Sequence, residues 1–555
     1  MCALMGSSGC GKTTLMDIIA GRKNTGTISG SIHFGGASAK HAQLKYLCGY
    51  VEQFDNLVEQ LTVEQMLQYT AELKLPTHTR HEKKQRVEEV ISALRLASCR
   101  NTVIGGALVR GISGGQLKRT NIGLALITRP PIVFLDEPTS GLDSFMAEEV
   151  VMAMSALASE GRTLVATVHA PTARAFTQFE DLILLRDGQM IYGGTNGKKA
   201  SMYFEKTLAL PPIGMGESLP EWLIAITSDP SKQTSVEELA AHYIASDAAS
   251  DLLKLCEANG AQGNGSNIKV PERAFSINPL GAIFILLKYR ALVDYKSGAY
   301  MGPRIGDKLI FSFIVLTMYL GEGTSDDPQA VQSITGVLFM VTALCGYGAA
   351  AVVPSLVLDR PLFYRETNDG CYGPMAYFLY KLIQEGILCI FTSFLFVAII
   401  YWGVELQGNL GIIMLAYYLT SMISIALAYA IAALTPSMDA ASALLPTYVT
   451  TTMFSGGLIM IVDQIPSWWS WYGWTSFIRY AWCAHMNNNF RGKENGETPM
   501  YLNAEGESVD VLEFYAVRGP LLGNMWACLG MLALIFCIFS TCGLLSITFV
   551  RHDRR

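Results

Sequence analysis

Three short stretches of this sequence carry residue types and spacings that suit phosphate chemistry. Gly6-Ser7-Ser8-Gly9-Cys10-Gly11-Lys12-Thr13 fits GxxxxGK[ST]. Its glycines let the backbone curl so that successive N–H groups point inward, and the positive end of the next helix adds to the cradle. Lys12 supplies a cation for β/γ-phosphates, and the Thr13 hydroxyl is a ligand for Mg²⁺. Alone, this reads as nucleoside-triphosphate binding. Farther on, the apolar run Ile132–Leu135 ends in Asp136-Glu137. A buried parallel strand delivering carboxylates at its C-terminal end suits Mg²⁺ held at phosphates. Asp136 then joins the Mg²⁺ shell and Glu137 polarises the attacking water as general base. Two adjacent carboxylates are more often a solvated surface pair, but a P-loop in the same chain reverses that preference.

Between these lies Ile112-Ser113-Gly114-Gly115-Gln116, a hydroxyl followed by close-approaching backbone amides. By itself it is an ordinary loop. In order with the others it resembles the ABC ATPase signature sequence. Gln53 in Gly49-Tyr50-Val51-Glu52-Gln53 resembles the Q-loop, and Ser140-Gly141-Leu142-Asp143 the D-loop. His169, following the strand-like Thr163–Val168, resembles the switch histidine, although a lone histidine is usually structural. The resemblance implies a composite site. Lys12, Thr13, Gln53, Asp136, Glu137 and His169 of one protomer face Ser113 and Gly115 of another across bound ATP. It assigns catalysis to Glu137, His169 and Gln53, and the Mg²⁺ shell to Thr13, Gln53 and Asp136. Nucleotide binding falls to Gly6, Ser7, Gly9, Gly11, Lys12, Thr13, Thr14, Ser113, Gly114, Gly115 and Asp143. One chain has one such set, so two chains are required.

These residues must be positioned by an α/β domain, and the charge distribution bounds it. The chain has 555 residues, 50% hydrophobic and 16% charged, with a net charge of −6. A soluble globular protein carries about a quarter charged residues. Up to Pro303 there are 29 basic and 29 acidic residues; from Arg304 onward there are 12 and 18. The first part reads as a water-soluble domain, the second as membrane. No broad basic footprint for nucleic acid exists. The 12 cysteines form no CxxC and no metal-ligand spacing.

Five apolar stretches are long enough, or nearly so, to cross a bilayer: Val331–Val353, Ala376–Trp402, Leu410–Leu434, Ala440–Val462 and Leu521–Val550. A sixth, Ile305–Gly321, holds Asp307 and Lys308 near its start, where a lysine can snorkel to the interface. With the soluble domain in the cytosol, inner segments hold eight basic residues. These are Arg304, Lys308, Arg360, Arg365, Lys381, Arg551, Arg554 and Arg555. Outer segments hold four, Arg479, Arg491, Lys493 and Arg518, while Glu322, Asp326 and Asp327 crowd the first outer loop. That follows the positive-inside tendency.

Asn278-Pro279 makes a helix start. Leu280, Ile283, Phe284, Leu287 and Ala291 then recur at helical spacing, predicting an amphipathic helix along the inner membrane surface. An ordinary half-buried helix is the alternative. Asn259–Asn267 reads as a flexible linker. The outer loop, about 463–520, opens with Trp468, Trp469, Trp471 and Trp474, an interfacial anchor. Its only cysteine, Cys483, is either an intermolecular disulfide partner or an unpaired buried thiol.

The order, ATPase first and six spans second, resembles the G subfamily of ABC transporters, of white and pleiotropic-drug-resistance type. Phe363-Tyr364-Arg365-Glu366 with Tyr372, Tyr377, Lys381 and Glu385, then Phe454-Ser455-Gly456-Gly457-Leu458, support it. The resemblance implies an α/β P-loop ABC ATPase domain over 1–205, helices and linker over 206–277, and a connecting helix over 278–303. An all-α six-span domain then covers 304–555. Gln116 stands where the subfamily often has Glu, Ala170-Pro171 where it has Gln-Pro, and Gly457-Leu458 where some members have a leucine pair. Strands carrying an adenine-stacking aromatic are expected before the P-loop, so an incomplete N-terminus is the expectation.

The resemblance also implies an ATP-driven half-transporter working as a homo- or heterodimer, exporting lipids, sterols or hydrophobic small molecules. Phe339, Met340, Tyr448, Met453 and Phe454 are candidate cavity residues, with simple helix packing as their alternative reading. Lys381 and Glu385, one helical turn apart, are expected to pair. The rival is a membrane-anchored ATPase that regulates or scaffolds a partner without transport. A soluble ABC ATPase of translation or repair is excluded by the spans.

Overall fold

β1 (Cys2–Gly6) lies inside a six-stranded sheet of the computed structural model. The structure describes residues 1–23, 25–34, 37–38, 47–106, 109–207, 212–214, 217–228, 235–262, 276–325, 327–491, 500–502 and 508–552. The other strands are β2 (Cys48–Val51), β3 (Ile132–Leu135), β4 (Thr163–Thr167), β5 (Asp181–Arg186) and β6 (Gln189–Thr195). Their order is β2-β3-β4-β1-β5-β6, parallel throughout except for the antiparallel β5–β6 pair. Ala3, Met5, Val133, Leu135, Leu164 and Ala166 are fully buried, as expected for parallel strands covered on both faces. Around them pack α1 (Lys12–Ile19), α2 (Val63–Lys74), α3 (Arg80–Ala93), α4 (Gly114–Leu126) and α5 (Ser144–Ser159). Thr62 with Gln65, Thr79 with Glu82 and Ser113 with Gln116 form reciprocal capping boxes, so α2, α3 and α4 start at fixed residues.

The chain divides into two compact units. One is Met1–Ile285 with Tyr364–Gly373, the other Leu286–Phe363 with Pro374–His552. In the first, α6 (Val236–Ile244) and α7 (Asp247–Gln262) follow the sheet. Residues Asn259 to Gln262 of the expected linker therefore belong to a helix, and its remainder lies outside the described residues, as do Asp326, Lys493, Arg554 and Arg555.

Asn278 accepts from Gly281 N at 2.8 Å and caps α8 (Pro279–Leu286). A π turn over Leu287–Ala291 and a short helix, Leu292–Asp294, continue it. The expected helix over 278–303 thus ends at Asp294, and α9 (Gly298–Met318) begins soon after. Leu280, Phe284 and Leu292 are exposed, whereas Ile283 and Ala291 are buried.

The second unit is helical: α9, α10 (Pro328–Gly348), α12 (Pro374–Val404), α13 (Leu410–Leu434), α14 (Met438–Phe454), α15 (Phe477–Phe490) and α16 (Met525–Phe549). Between α10 and α12 stands α11 (Arg360–Asn368). Among the described residues, four helical stretches are long and apolar enough to cross a membrane: Pro328–Val357, Pro374–Val404, Leu410–Leu434 and Met525–Phe549. The two other expected spans are helical as well. α9 starts earlier than expected, so Lys308 sits mid-helix and does not snorkel from an end. α14 stops at Phe454 after 17 residues. Small residues let these helices close on one another. A Cβ on Gly346 of α10 would lie 2.7 Å from Val449 of α14, and one on Gly543 of α16 would lie 2.8 Å from Phe378 of α12.

The expected outer loop contains the buried helix α15, on which Cys483 is wholly buried as a free thiol. Trp468, Trp469, Trp471 and Trp474 remain exposed beside it. Phe339 is also buried, edge-on to Trp482 with ring centroids 5.9 Å apart, which agrees with helix packing. The expected Lys381–Glu385 pair does not form. Lys381 meets Asp359, in the turn before α11, at 2.6 Å and Glu385 meets Arg304 of α9 at 2.7 Å, because partners from other elements approach each charge more closely than its own helical neighbour.

Candidate nucleotide site

The loop Ser7–Gly11 leaves β1 at its C-terminal end and enters α1. Gly6 must be glycine: a Cβ there would lie 2.3 Å from the Leu185 carbonyl oxygen. Gly11, at φ 98°, is the left-handed residue that turns the loop into α1. Lys12 is buried, and its ammonium donates to the carbonyls of Gly6 at 3.0 Å and Ser7 at 2.9 Å, which folds it across the loop. Thr13 and Thr14 are exposed at the helix start.

From Thr13 a continuous series of bonds crosses the ends of three strands. Thr13 Oγ1 donates to Asp136 Oδ1 at 3.0 Å, and Thr167 Oγ1 donates to the same oxygen at 2.8 Å. Glu137 N donates to Thr167 Oγ1 at 2.7 Å. Gln53 Nε2 then donates to Glu137 Oε2 at 2.8 Å. The register of β2, β3 and β4 places these ends side by side, with Val51 opposite Leu135 and Leu135 opposite Ala166. Glu137 has φ 44°, a strained value for a residue with a Cβ, and such strain collects at functional sites. Burial raises the proton affinity of Asp136, against the bonds from Thr167 and Thr13. The Thr13 hydroxyl and Asp136 carboxylate form a pair of hard oxygen donors beside the phosphate loop, which fits Mg²⁺.

The signature, D-loop and switch residues stand apart from this series, and among the described residues no hydrogen bond joins them to it. Ser113 caps α4 by accepting from Gln116 N, while Gln116 Oε1 accepts from Ser113 N at 3.0 Å. Glutamine therefore performs the capping that a glutamate would, and the departure at 116 leaves the turn intact. Gly114 and Gly115 pack against the D-loop side: a Cβ on them would meet Leu142 at 3.0 Å and Met146 at 3.2 Å. Asp143 caps α5, accepting from Met146 N at 2.8 Å. His169 is exposed just past β4.

Sequence reasoning missed the residues that hold Gln53. Lys118, buried on α4, donates to the Gln53 carbonyl at 2.5 Å and pairs with Asp55 at 3.1 Å. Asn121 donates to Asp55 at 2.6 Å. On the other side of Gln53, Glu52 meets Arg22 at 3.5 Å, and Arg22 lies 4.2 Å over the Tyr50 ring. Arg22 also pairs with Asp369, which Lys74 meets at 3.0 Å. Of these, Tyr50 and Glu52 carried a signal, their place in the stretch that ends at Gln53; Thr167, which joins Asp136 to Glu137, carried only its place two residues before His169.

The family described as ABC transporter matches residues 1–140, and that described as ABC-2 type transporter matches residues 281–490. The ATP-binding protein/permease wht-1 of Caenorhabditis elegans is 30% identical over 508 residues, 88% of this chain and 75% of that protein. The chain belongs to the G family of ABC transporters. ABC transporter G family member 31 of Arabidopsis thaliana is 29% identical across 100% of this chain, which spans 39% of that relative's length. The broad substrate specificity transporter ABCG2 of Sus scrofa is 30% identical over 88% of this chain and 78% of its own. Family membership and the helices of the second unit make the chain an integral membrane protein with an ABC ATPase domain first.

Proposed function

We propose that this chain is an ATP-driven transporter half that works as a dimer, with Mg²⁺ held by Thr13 and Asp136. The observation that carries the reading is the series Thr13–Asp136–Thr167–Glu137–Gln53, which fixes a carboxylate at Glu137 beside the phosphate loop. Glu137 takes the proton of the attacking water, and Gln53 orients it by donating to Oε2. Lys12 leaves the carbonyls of Gly6 and Ser7 for the β/γ-phosphates. Bound Mg²⁺ neutralises charge on those phosphates. Ser113 and Gly115 of one protomer close on the nucleotide of the other, and His169 faces its γ-phosphate.

The excess of basic residues in the segments on the ATPase side supports a cytosolic ATPase unit, and export is the direction that completes this reading. The substrates are hydrophobic small molecules, lipids or sterols. Met340 and Tyr347 on α10 and Thr450, Thr451 and Phe454 on α14 are exposed. Tyr347 and Thr450 hydroxyls lie 2.8 Å apart, which gives this wall both apolar and hydrogen-bonding character. The named breadth of the ABCG2 relative is consistent with such a wall.

The test is Glu137→Gln in the purified protein. ATP hydrolysis is expected to fall by about 100-fold or more, the scale of a lost general base, while ATP still binds. Retained turnover overturns the assignment.

A further inference from the structure

A second group of charges lies inside the membrane unit, and the nucleotide chemistry leaves it unused. Arg304, Asp307 and Lys308 of α9 and Glu385 of α12 line one cavity of about 50 Å³. Two of these charges are closed on each other. Arg304 donates to both oxygens of Glu385 at 2.7 and 3.1 Å, and the Tyr300 hydroxyl adds a bond at 2.8 Å. The other two find polar partners only in each other among the described residues, and the Lys308 amide donates to Asp307 Oδ1 at 2.7 Å. Among the described residues the Lys308 ammonium meets one oxygen, Asp307 Oδ2, at 3.3 Å. Neighbours on a helix project about 100° apart, so this contact is made by folding back. Beyond it the ammonium faces the Phe396 and Tyr417 rings at 5.9 and 5.8 Å.

The fold makes room for this pair. A Cβ on Gly348 would lie 2.8 Å from Lys308 Nζ and 2.9 Å from Asp307 Oδ2. Thr392 and Ser421 add hydroxyls, and Leu388 and Ile425 add apolar wall. Charges within a membrane segment are costly, and they mark functional sites when they face an interior cavity. The lining sums to zero charge, so an uncharged guest suits it. The volume is about a third of the roughly 150 Å³ cavity that admits benzene. One small polar group fits this volume. A hydroxyl or amide both donates and accepts, and so satisfies a carboxylate and an ammonium standing side by side.

We propose that the cavity at Asp307 and Lys308 binds the hydroxyl or amide group of an otherwise apolar, uncharged molecule. Asp307 accepts its proton, and Lys308 donates to its oxygen. The inference rests on the membrane unit and not on ATP hydrolysis, so it can fail while Glu137→Gln behaves as expected, and the reverse.

Cys345 and Cys389 line the same cavity and report its occupancy. The full chain in detergent is treated with methyl methanethiosulfonate, and modification is read by peptide mass spectrometry, with buried Cys99 of the ATPase unit as reference. At ten times its half-protecting concentration, 1-tetradecanol is expected to slow modification of Cys345 and Cys389 by about tenfold, and tetradecane by less than about 2-fold. Lys308→Gln and Asp307→Asn are expected to abolish that difference. Equal protection by the alkane overturns the proposal, as does no protection by either probe, which marks a cavity that holds water only. Retained selectivity in both variants overturns the role of the pair. Should a variant fail to fold, the alcohol-against-alkane comparison on the unaltered chain decides alone.

Discussion

Thr167 holds two functional groups at once, giving its proton to Asp136 and accepting the Glu137 amide. Thr167→Val keeps the shape and removes both bonds, leaving a buried carboxylate oxygen and an amide short of partners. Unfolding free energy is expected to drop by about 1–3 kcal/mol in denaturant titration, with Thr167→Ser restoring most of it. An unchanged midpoint would show that these bonds do not hold the site. At this scale the candidates Lys12, Thr13, Asp136 and Glu137 were legible as motif residues, because a motif is set by neighbours within a few positions. Thr167 was visible only as the residue two before His169. Its role depends on the pairing of β3 with β4, which no local spacing reveals. Gln116 was legible as a departure but not as a harmless one, since its consequence lies in cap geometry.

Between elements, the α11 end carries Asp369 into the ATPase unit, where Arg22 and Lys74 clamp it. Burial works against its charge, but Lys74 and Arg22 prevail and hold its carboxyl well below the usual carboxylate range. A carboxyl with a depressed folded pKa contributes stability above its unfolded value, near 3.9, and loses it as pH falls further. Asp369→Asn should therefore destabilise the protein at pH 7 by about 3–5 kcal/mol, leaving Lys74 without its carboxylate and Arg22 with Glu52 alone. The gap to the unaltered chain should narrow at pH 3, where the unfolded aspartate takes up a proton that the native one resists, measured by denaturation at pH 7 and pH 3. A gap independent of pH would contradict the ion-pair account. Because Arg22 also meets Glu52 beside Gln53, the double variant Arg22→Asp with Asp369→Arg should recover more hydrolysis than either single change. The same scale shows where spacing misleads. Lys381 and Glu385 lie one turn apart, yet Asp359 and Arg304 capture them, and only tertiary packing reveals that competition. The buried helix α15 was likewise hidden inside a stretch too polar to read as a span.

For the whole molecule, the neutral first part and the charge-poor second part were legible from composition, and they correspond to an α/β unit and a helical unit. The fold boundaries were less so. α9 begins at Gly298, before its apolar run, and Arg304 in that extension pairs with Glu385 inside the unit instead of with water. Whether ATP hydrolysis at Lys12 and Glu137 moves a hydrophobic compound across a membrane is decided by uptake into proteoliposomes whose ATPase units face outward. The unaltered chain should accumulate a lipophilic fluorescent probe only with Mg²⁺ and ATP, and Lys12→Ala should abolish it. ATP hydrolysis without accumulation of any of a panel of such probes, or accumulation that survives Lys12→Ala, would contradict ATP-driven transport by this chain.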